Sequence, residues 1–132
     1  MSAAPLAARF VRELDGLGLA PGTWLVAVSG GPDSVALAHL LADAAAGQGL
    51  ALVVAHADHG IHSASAAVAE RVRRVAAALE LPVTIVRLEL GADTTETEAR
   101  EARYRWLRAE CARLGAHGIA TAHHADDQAE TV

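Results

Sequence analysis

Lysine is absent from this chain of 132 residues, and all eleven of its basic residues are arginines. A Walker-type phosphate-binding loop needs a Lys that reaches the β- and γ-phosphates, so that class of nucleotide-binding protein is excluded. Cysteine occurs once, as Cys111, which excludes an internal disulfide and a zinc site built from several cysteines. We therefore expect Cys111 to be a buried thiol in a reducing compartment.

Long apolar runs are also lacking. No uninterrupted stretch approaches the roughly 20 apolar residues of a membrane span, and the N-terminus lacks the charged and apolar regions of a signal peptide. The sequence therefore predicts a cytoplasmic protein with no membrane partner. Its formal net charge is −5, so the chain as a whole lacks the basic excess of a nucleic-acid binder that acts alone.

Apolar runs of strand length alternate with helical patterns. We expect one helix at about 3–17 and a second from the loop after the first strand to about 46. Further helices are expected at about 65–80, at about 96–114 and from 123 onward. Strands are expected at about 23–29, 50–55, 83–88 and 119–122. This alternation predicts an α/β fold, a Rossmann-like parallel sheet of about four or five strands with helices on both faces. Ligands of such sheets bind beyond the carboxyl ends of the strands.

The first predicted strand runs into a polar loop, Ser-Gly-Gly-Pro-Asp-Ser at residues 29–34. Gly30 and Gly31 allow a close approach of the backbone, and Pro32 suits the first position of a helix. Strand, tight loop and helix N-terminus together form a geometry that binds anions. The alternative is a simple strand-to-helix turn with a Ser cap.

Two further polar clusters follow predicted strands. In His56-Ala57-Asp58-His59-Gly60, the His and Asp side chains are compatible with a metal site, with a solvated loop, or with a loop facing ATP or the substrate. The second cluster begins at His123. If a helix begins near Asp126, Asp127 and Glu130 share one face, where they can hold Mg²⁺, pair with an ammonium group, or simply cap the helix.

The predicted helix 96–114 carries the fourth feature. Arg100 and Arg103 lie one turn apart, where they can reach phosphate or RNA, and Tyr104 can stack or donate a hydrogen bond. The alternative is a solvated charged face, which we expect for Arg105 and Arg108. Trp106 and Leu107 are expected in the core.

These four motifs, in order and approximate spacing, resemble the tRNA(Ile)-lysidine synthetases, which are PP-loop ATPases of the N-type ATP pyrophosphatase superfamily. The resemblance covers about residues 9–132, the front of the catalytic domain. It implies an adenine nucleotide α-hydrolase-like fold, with residues 1–132 forming a PP-loop ATP-binding catalytic domain. The His-x-Asp-His-Gly and Ala-His-His-x-Asp-Asp-Gln-x-Glu-Thr elements are more selective than the PP-loop alone.

What the resemblance implies is ATP-dependent ligation of lysine to C2 of the wobble cytidine, position 34, of isoleucine tRNA. The cytidine O2 is first adenylated, and the lysine ε-amine then displaces AMP. The cofactors would be ATP and Mg²⁺, and the partners isoleucine tRNA and free lysine. A homodimer is among the oligomeric states left open.

The resemblance also implies a role for each matching residue. Asp33 and Asp127 would bind the metal. The catalytic residues would be Asp33, Arg100, Arg103, Asp127 and Glu130. The ATP site would comprise Ser29, Gly30, Gly31, Pro32, Asp33, Ser34, His56, Asp58, His59 and His123.

The sequence differs from this family in one respect, and three other protein classes are alternatives to it. The family carries further sequence that grips tRNA, so we expect this chain to be an N-terminal fragment that binds ATP without forming lysidine. A tRNA thiolase would use paired cysteines, and an amidotransferase-type synthetase would carry a glutaminase segment; neither is visible here. A non-catalytic nucleotide-binding module of the universal-stress type would not need Asp33 or the acidic pair Asp126 and Asp127.

Overall fold

The computed structural model describes residues 20–58 and 65–121 and the backbone of 129–131. Three helices and five strands form in this part of the chain. The strands are β1 (Gly22–Ala27), β2 (Leu50–Asp58), β3 (Val83–Arg87), β4 (Gly118–Ala120) and β5 (Ala129–Thr131). The helices are α1 (Pro32–Gln48), α2 (Ser65–Ala78) and α3 (Glu96–Leu114).

The five strands form one sheet in the order β3-β2-β1-β4-β5. Strands β1 to β4 are parallel, with Val26 paired to Val54 on one side and to Ala120 on the other. This confirms the α/β fold with a parallel sheet. The chain moves outward from β1 through β2 to β3 and then returns to place β4 on the other side of β1. The order of the strands therefore reverses at β1. In such sheets, ligands bind beyond the carboxyl end of the strand at which the order reverses.

Helices cover both faces of the sheet, as predicted. Successive residues of a strand point to opposite faces, and β1 divides accordingly. Trp24 and Val26 pack with side chains of α1 and α2, whereas Leu25 packs with Leu107 and Cys111 of α3. Helices α1 and α2 thus lie on one face and α3 on the other.

Local sequence signals fix the ends of helix α3. Thr95 caps α3 through a capping box, in which its hydroxyl accepts from the Glu98 amide and the Glu98 carboxylate accepts from the Thr95 amide. Gly115 ends the same helix in the left-handed conformation, with φ of 66°. The predicted bounds 96–114 are those observed.

Two predictions about the site clusters are wrong. His56 and Asp58 lie within β2 and not in a loop after it, because they pair with Ile85 and Arg87 of β3. Glu130 lies in β5, antiparallel to β4 and opposite Ile119, and not on a helix. Pairing along the free edge of β4 prevails there over the helical spacing of the acidic residues. The predicted helix 3–17 lies outside the described residues.

Cys111 is fully buried, as predicted, and its Sγ lies 3.5 Å from the carbonyl oxygen of Gly118. Burial raises the pKa of its thiol. Within residues 20–58 and 65–121, no helix is long and apolar enough to cross a membrane.

Glu110 connects α3 to β3. Its carboxylate accepts from the hydroxyl of Thr84 at 2.9 Å and from two guanidinium nitrogens of Arg113 at 2.9 and 2.7 Å. The hydrogen bonds from Arg113 lower the pKa of Glu110 below its ordinary value of 4.5. A carboxyl whose pKa is lowered by folding stabilises the fold above its unfolded pKa, and the contribution is lost as pH falls through the folded pKa.

We predict that Glu110→Gln lowers the free energy of unfolding at neutral pH by up to about 1 kcal/mol, since Arg113 is largely exposed and the pair is screened. The difference from the unsubstituted chain should shrink as pH falls below 4.5 and vanish once the pH is below the lowered pKa of the folded state. Urea unfolding across this pH range measures it, with the exposed Glu101→Gln as control. A difference that persists under acid would contradict the prediction.

Candidate functional site

A cavity of about 630 Å³ opens at the carboxyl ends of β1 and β2 and the N-terminus of α1. Its position beyond β1 is the one predicted from the alternation of strands and helices. Small and apolar side chains of the strands, such as Ala27 and Ala55, form part of its wall. The polar residues that line it are Ser29, Asp33, Ser34, His56, Asp58, Ser65, Arg103 and Thr121.

Hydrogen bonds between its two serines close the loop 29–34. The Ser34 Oγ accepts from the Ser29 amide at 3.1 Å and donates to the carbonyl of Gly31 at 3.0 Å. The two hydroxyl oxygens lie 3.1 Å apart. Ser34 is buried, so its hydroxyl holds the loop in shape, while the exposed Ser29 faces the cavity.

The N-terminus of α1 adjoins this loop. Gly31 is the capping residue, Pro32 begins the helix, and no side chain among the described residues caps it. The first amides of a helix have no partner within the helix and carry its positive end. This end of the cavity therefore favours an anion, and the exposed Asp33 in the first turn supplies a carboxylate for a cation bound to that anion.

Gly30 has φ of 94°, a conformation that favours glycine. It is buried, and a Cβ at this position would lie 2.7 Å from Cγ1 of Val68 on α2. Gly31, by contrast, has φ of −77° and room for a Cβ, whose nearest contact would be the Ser29 Oγ at 3.6 Å. The two glycines thus have different surroundings. Gly30 lies against α2, and Gly31 lines the cavity.

The end of β2 adds two buried polar side chains, His56 and Asp58, which are 6% and 9% exposed. The Nδ1 of His56 lies 2.7 Å from the carbonyl oxygen of Val28. Because a carbonyl can only accept, this nitrogen carries the hydrogen, and the contact fixes the ring against β1. Asp33 and Asp58 are the two carboxylates among the described lining residues. Carboxylates together with phosphate oxygens are the ligands that Mg²⁺ takes in nucleotide sites, so the residues present fit this ion.

Helix α3 brings one of the two predicted arginines into the site. Arg103 lines the cavity, whereas Arg100 is exposed. Both lie over the ring of Tyr104, with their Cζ atoms 6.0 Å (Arg103) and 5.6 Å (Arg100) from the ring centroid. Arg105 and Arg108 are exposed, as predicted. Leu107 is buried in the core, as predicted, and also reaches the cavity wall.

The structure thus brings together most of the loop 29–34 with His56, Asp58 and Arg103. Three predicted site residues, His59, His123 and Asp127, lie outside the described residues, and of Glu130 only the backbone is described. Within the described part of the chain, no group of three or more His, Cys, Asp or Glu side chains is placed to hold a metal ion.

Sequence reasoning assigned no role to Ser65 or Thr121. Thr121 follows β4 and is 5% exposed, and Ser65 begins α2. Thr121 is the first residue of the polar motif 121–131, and its place directly after a parallel strand indicates a role, since such ends meet at one edge of the sheet. The end of β4 signals it, whereas no sequence signal indicates that α2 starts at the cavity.

A family model and the curated relatives of similar sequence agree with each other. The family model described as a PP-loop domain matches residues 6–132. Curated relatives named tRNA(Ile)-lysidine synthase include those of Rhodopseudomonas palustris, 46% identical over 82% of this chain, and Thermus thermophilus, 45% identical over 88%. That of Bradyrhizobium diazoefficiens is 39% identical over 97%. The matches cover 32%, 24% and 37% of these relatives, so the chain spans about a quarter to a third of their length.

Solved structures of similar fold are more distant in sequence. The U34-tRNA thiolase NcsA from Methanococcus maripaludis, solved with its [4Fe-4S] cluster, is 20% identical with a TM-score of 0.76, over 94% of this chain and 46% of that protein. The NAD⁺ synthetase of Burkholderia pseudomallei is 18% identical with a TM-score of 0.53, over 95% of this chain and 54% of that one. At these identities the likeness concerns the fold alone.

We predict that Gly30→Ala destabilises the chain by about 1–3 kcal/mol, because the new Cβ meets Val68 and the residue has positive φ. The matched control is Gly31→Ala, which should cost less than about 1 kcal/mol because its Cβ has space and φ is negative. Chemical unfolding measures both. Equal losses for the two substitutions would contradict the geometry described for this loop.

Proposed function

Since the chain belongs to the PP-loop domain family, we propose that it is the ATP-binding part of a tRNA(Ile)-lysidine synthetase, with residues 1–132 forming one catalytic domain. The observation that carries the proposal is the cavity beyond β1, where the loop 29–34 meets His56, Asp58 and Arg103. The relatives named for this activity are longer than the chain. Activity, substrates and partners are therefore part of the proposal.

The loop 29–34 and the N-terminus of α1 would hold the phosphates of ATP. Amide donors and the positive helix end favour the negative charge of the phosphates, and Gly31 lets the backbone approach them closely. Arg103 adds a guanidinium, which matches phosphate geometry. Asp33 and Asp58 would hold Mg²⁺, which neutralises phosphate charge when bound.

In the proposed reaction, the O2 oxygen of the cytidine attacks the α-phosphorus of ATP, and pyrophosphate leaves. The ε-amine of lysine then attacks C2, the C2–O2 bond breaks, and AMP leaves with that oxygen. The described residues would contribute to the first step, because Arg103 and the loop line the cavity proposed for the phosphates. Asp127 and Glu130 remain proposed for lysine or metal binding, and Arg100 for contact with tRNA.

The deciding experiment is a calorimetric titration of ATP into the chain, with Mg²⁺ and with a chelator. We expect Asp33→Ala to weaken binding about tenfold or more when Mg²⁺ is present. With the chelator present, Asp33→Ala should not weaken ATP binding, since without Mg²⁺ the carboxylate only repels phosphate. The control is Asp43→Ala, an exposed carboxylate of the same helix, which should stay within about twofold.

Two results would count against the proposal. Binding that does not depend on Mg²⁺ and survives Asp33→Ala would indicate a passive nucleotide-binding module. Absence of ATP binding by the unsubstituted, folded chain would remove the ATP-binding role of these residues.

A separate prediction concerns the ligation itself. With a net charge of −5, we expect these 132 residues to bind tRNA weakly, because affinity depends on phosphate contacts made by cations. Incubation with isoleucine tRNA, lysine and ATP should then give no lysidine in nucleoside analysis, while a full-length relative gives it under the same conditions. Appreciable lysidine from the 132 residues would refute this expectation.

A further inference from the structure

Arg71 connects helix α2 to the loop 29–34 from outside the cavity. Its guanidinium Nη1 donates a hydrogen bond to the carbonyl oxygen of Gly30, with 3.2 Å between the two atoms. No motif in the sequence indicates this contact, since Arg71 lies 41 residues away in a helix with an ordinary amphipathic pattern. We propose that Arg71 is a positioning residue, which holds the Gly30–Gly31 peptide so that its amide faces the phosphates of ATP.

Peptide geometry links the contact to the site. The carbonyl of Gly30 and the amide of Gly31 belong to one planar trans peptide, so they point in opposite directions. Arg71 holds the carbonyl toward α2, and the amide of Gly31 is therefore directed away from α2. The amide of Gly31 donates a hydrogen bond to the Oγ of Ser29, with 3.4 Å between the two atoms, and both Ser29 and Gly31 line the cavity.

The peptide between two glycines needs such a constraint. Glycine populates positive and negative φ about equally, so the Gly30–Gly31 peptide can rotate with little steric opposition. A rotated peptide would present a carbonyl oxygen to the phosphates, and the site would gain repulsion in place of a donor. The hydrogen bond from Arg71 stabilises the productive orientation against this alternative.

The packing of α2 supports the same assignment. Val68 and Val72, which flank Arg71 on the helix, approach the position of the missing Gly30 Cβ at 2.7 and 3.9 Å. Residues three and four apart share a helix face, so one face of α2 turns Val68 and Val72 toward the Gly30 backbone and Arg71 toward its carbonyl. The two valines limit how close the loop lies, and Arg71 sets the orientation of its peptide.

A direct attraction between the charge of Arg71 and the phosphates is the competing explanation. The two explanations can be distinguished by substitution of Arg71. Gln keeps a donor for the Gly30 carbonyl and removes the charge, whereas Ala removes both the donor and the charge. Arg74, an exposed arginine one turn further along α2, provides a control for loss of charge from the same helix.

The test combines two measurements on the whole chain, after thermal unfolding has shown which variants are folded. In calorimetry with ATP and Mg²⁺, which rests on the proposed function, Arg71→Ala should weaken binding about tenfold. Arg71→Gln should stay within about threefold and Arg74→Ala within about twofold of the unsubstituted chain. In the ligand-free chain, the ¹H–¹⁵N resonance of the Gly31 amide should move and its hydrogen exchange should accelerate in Arg71→Ala but not in Arg74→Ala.

Equal binding by Arg71→Ala and Arg74→Ala would overturn the proposal, and so would an Arg71→Gln variant as weak as Arg71→Ala, which would favour simple charge attraction. An unchanged Gly31 amide would overturn it as well, whatever the affinity for ATP. If the unsubstituted chain bound no ATP while the Gly31 amide responded to Arg71→Ala, the fault would lie in the proposed nucleotide site. Arg71 would then hold the peptide without serving phosphate.

Discussion

Parallel pairing of β1 with both β2 and β4 is the constraint on which the rest of the structure depends. It places the carboxyl end of β1 between those of β2 and β4, two strands that lie on opposite sides of β1. The cavity lies beyond these strand ends. Everything polar at the site, from the loop 29–34 to Arg103 of α3, reaches it because β1 occupies this central place.

The loop after β1 is specified on two levels. Its own residues close it, since the hydroxyl of Ser34 satisfies the amide of Ser29 and the carbonyl of Gly31. Its neighbour α2 then fixes where it lies, through Val68 against Gly30 and Arg71 on the Gly30 carbonyl. The first level is local in sequence and the second is not, so a short motif alone cannot define the shape of the anion site.

This division explains how much could be predicted from the sequence. The helix bounds 96–114, the loop 29–34 and the burial of Cys111 and Leu107 were predictable, because each depends on caps, glycines or apolar spacing within a few residues. The position of Glu130 and the extension of β2 through Asp58 were not, since both depend on pairing with another strand, β4 for Glu130 and β3 for Asp58. The role of Arg71 was unpredictable for the same reason: its partner lies across the fold.

Cys111 gives the molecule a built-in reporter. The thiolate is the reactive form of cysteine, and here the side chain is both buried between α3 and β4 and held in its neutral state by a raised pKa. An alkylating reagent can therefore react with the native chain only when α3 lifts from the sheet. Because the chain has a single cysteine, the rate of modification isolates the opening of one layer, on the face opposite to α1 and α2.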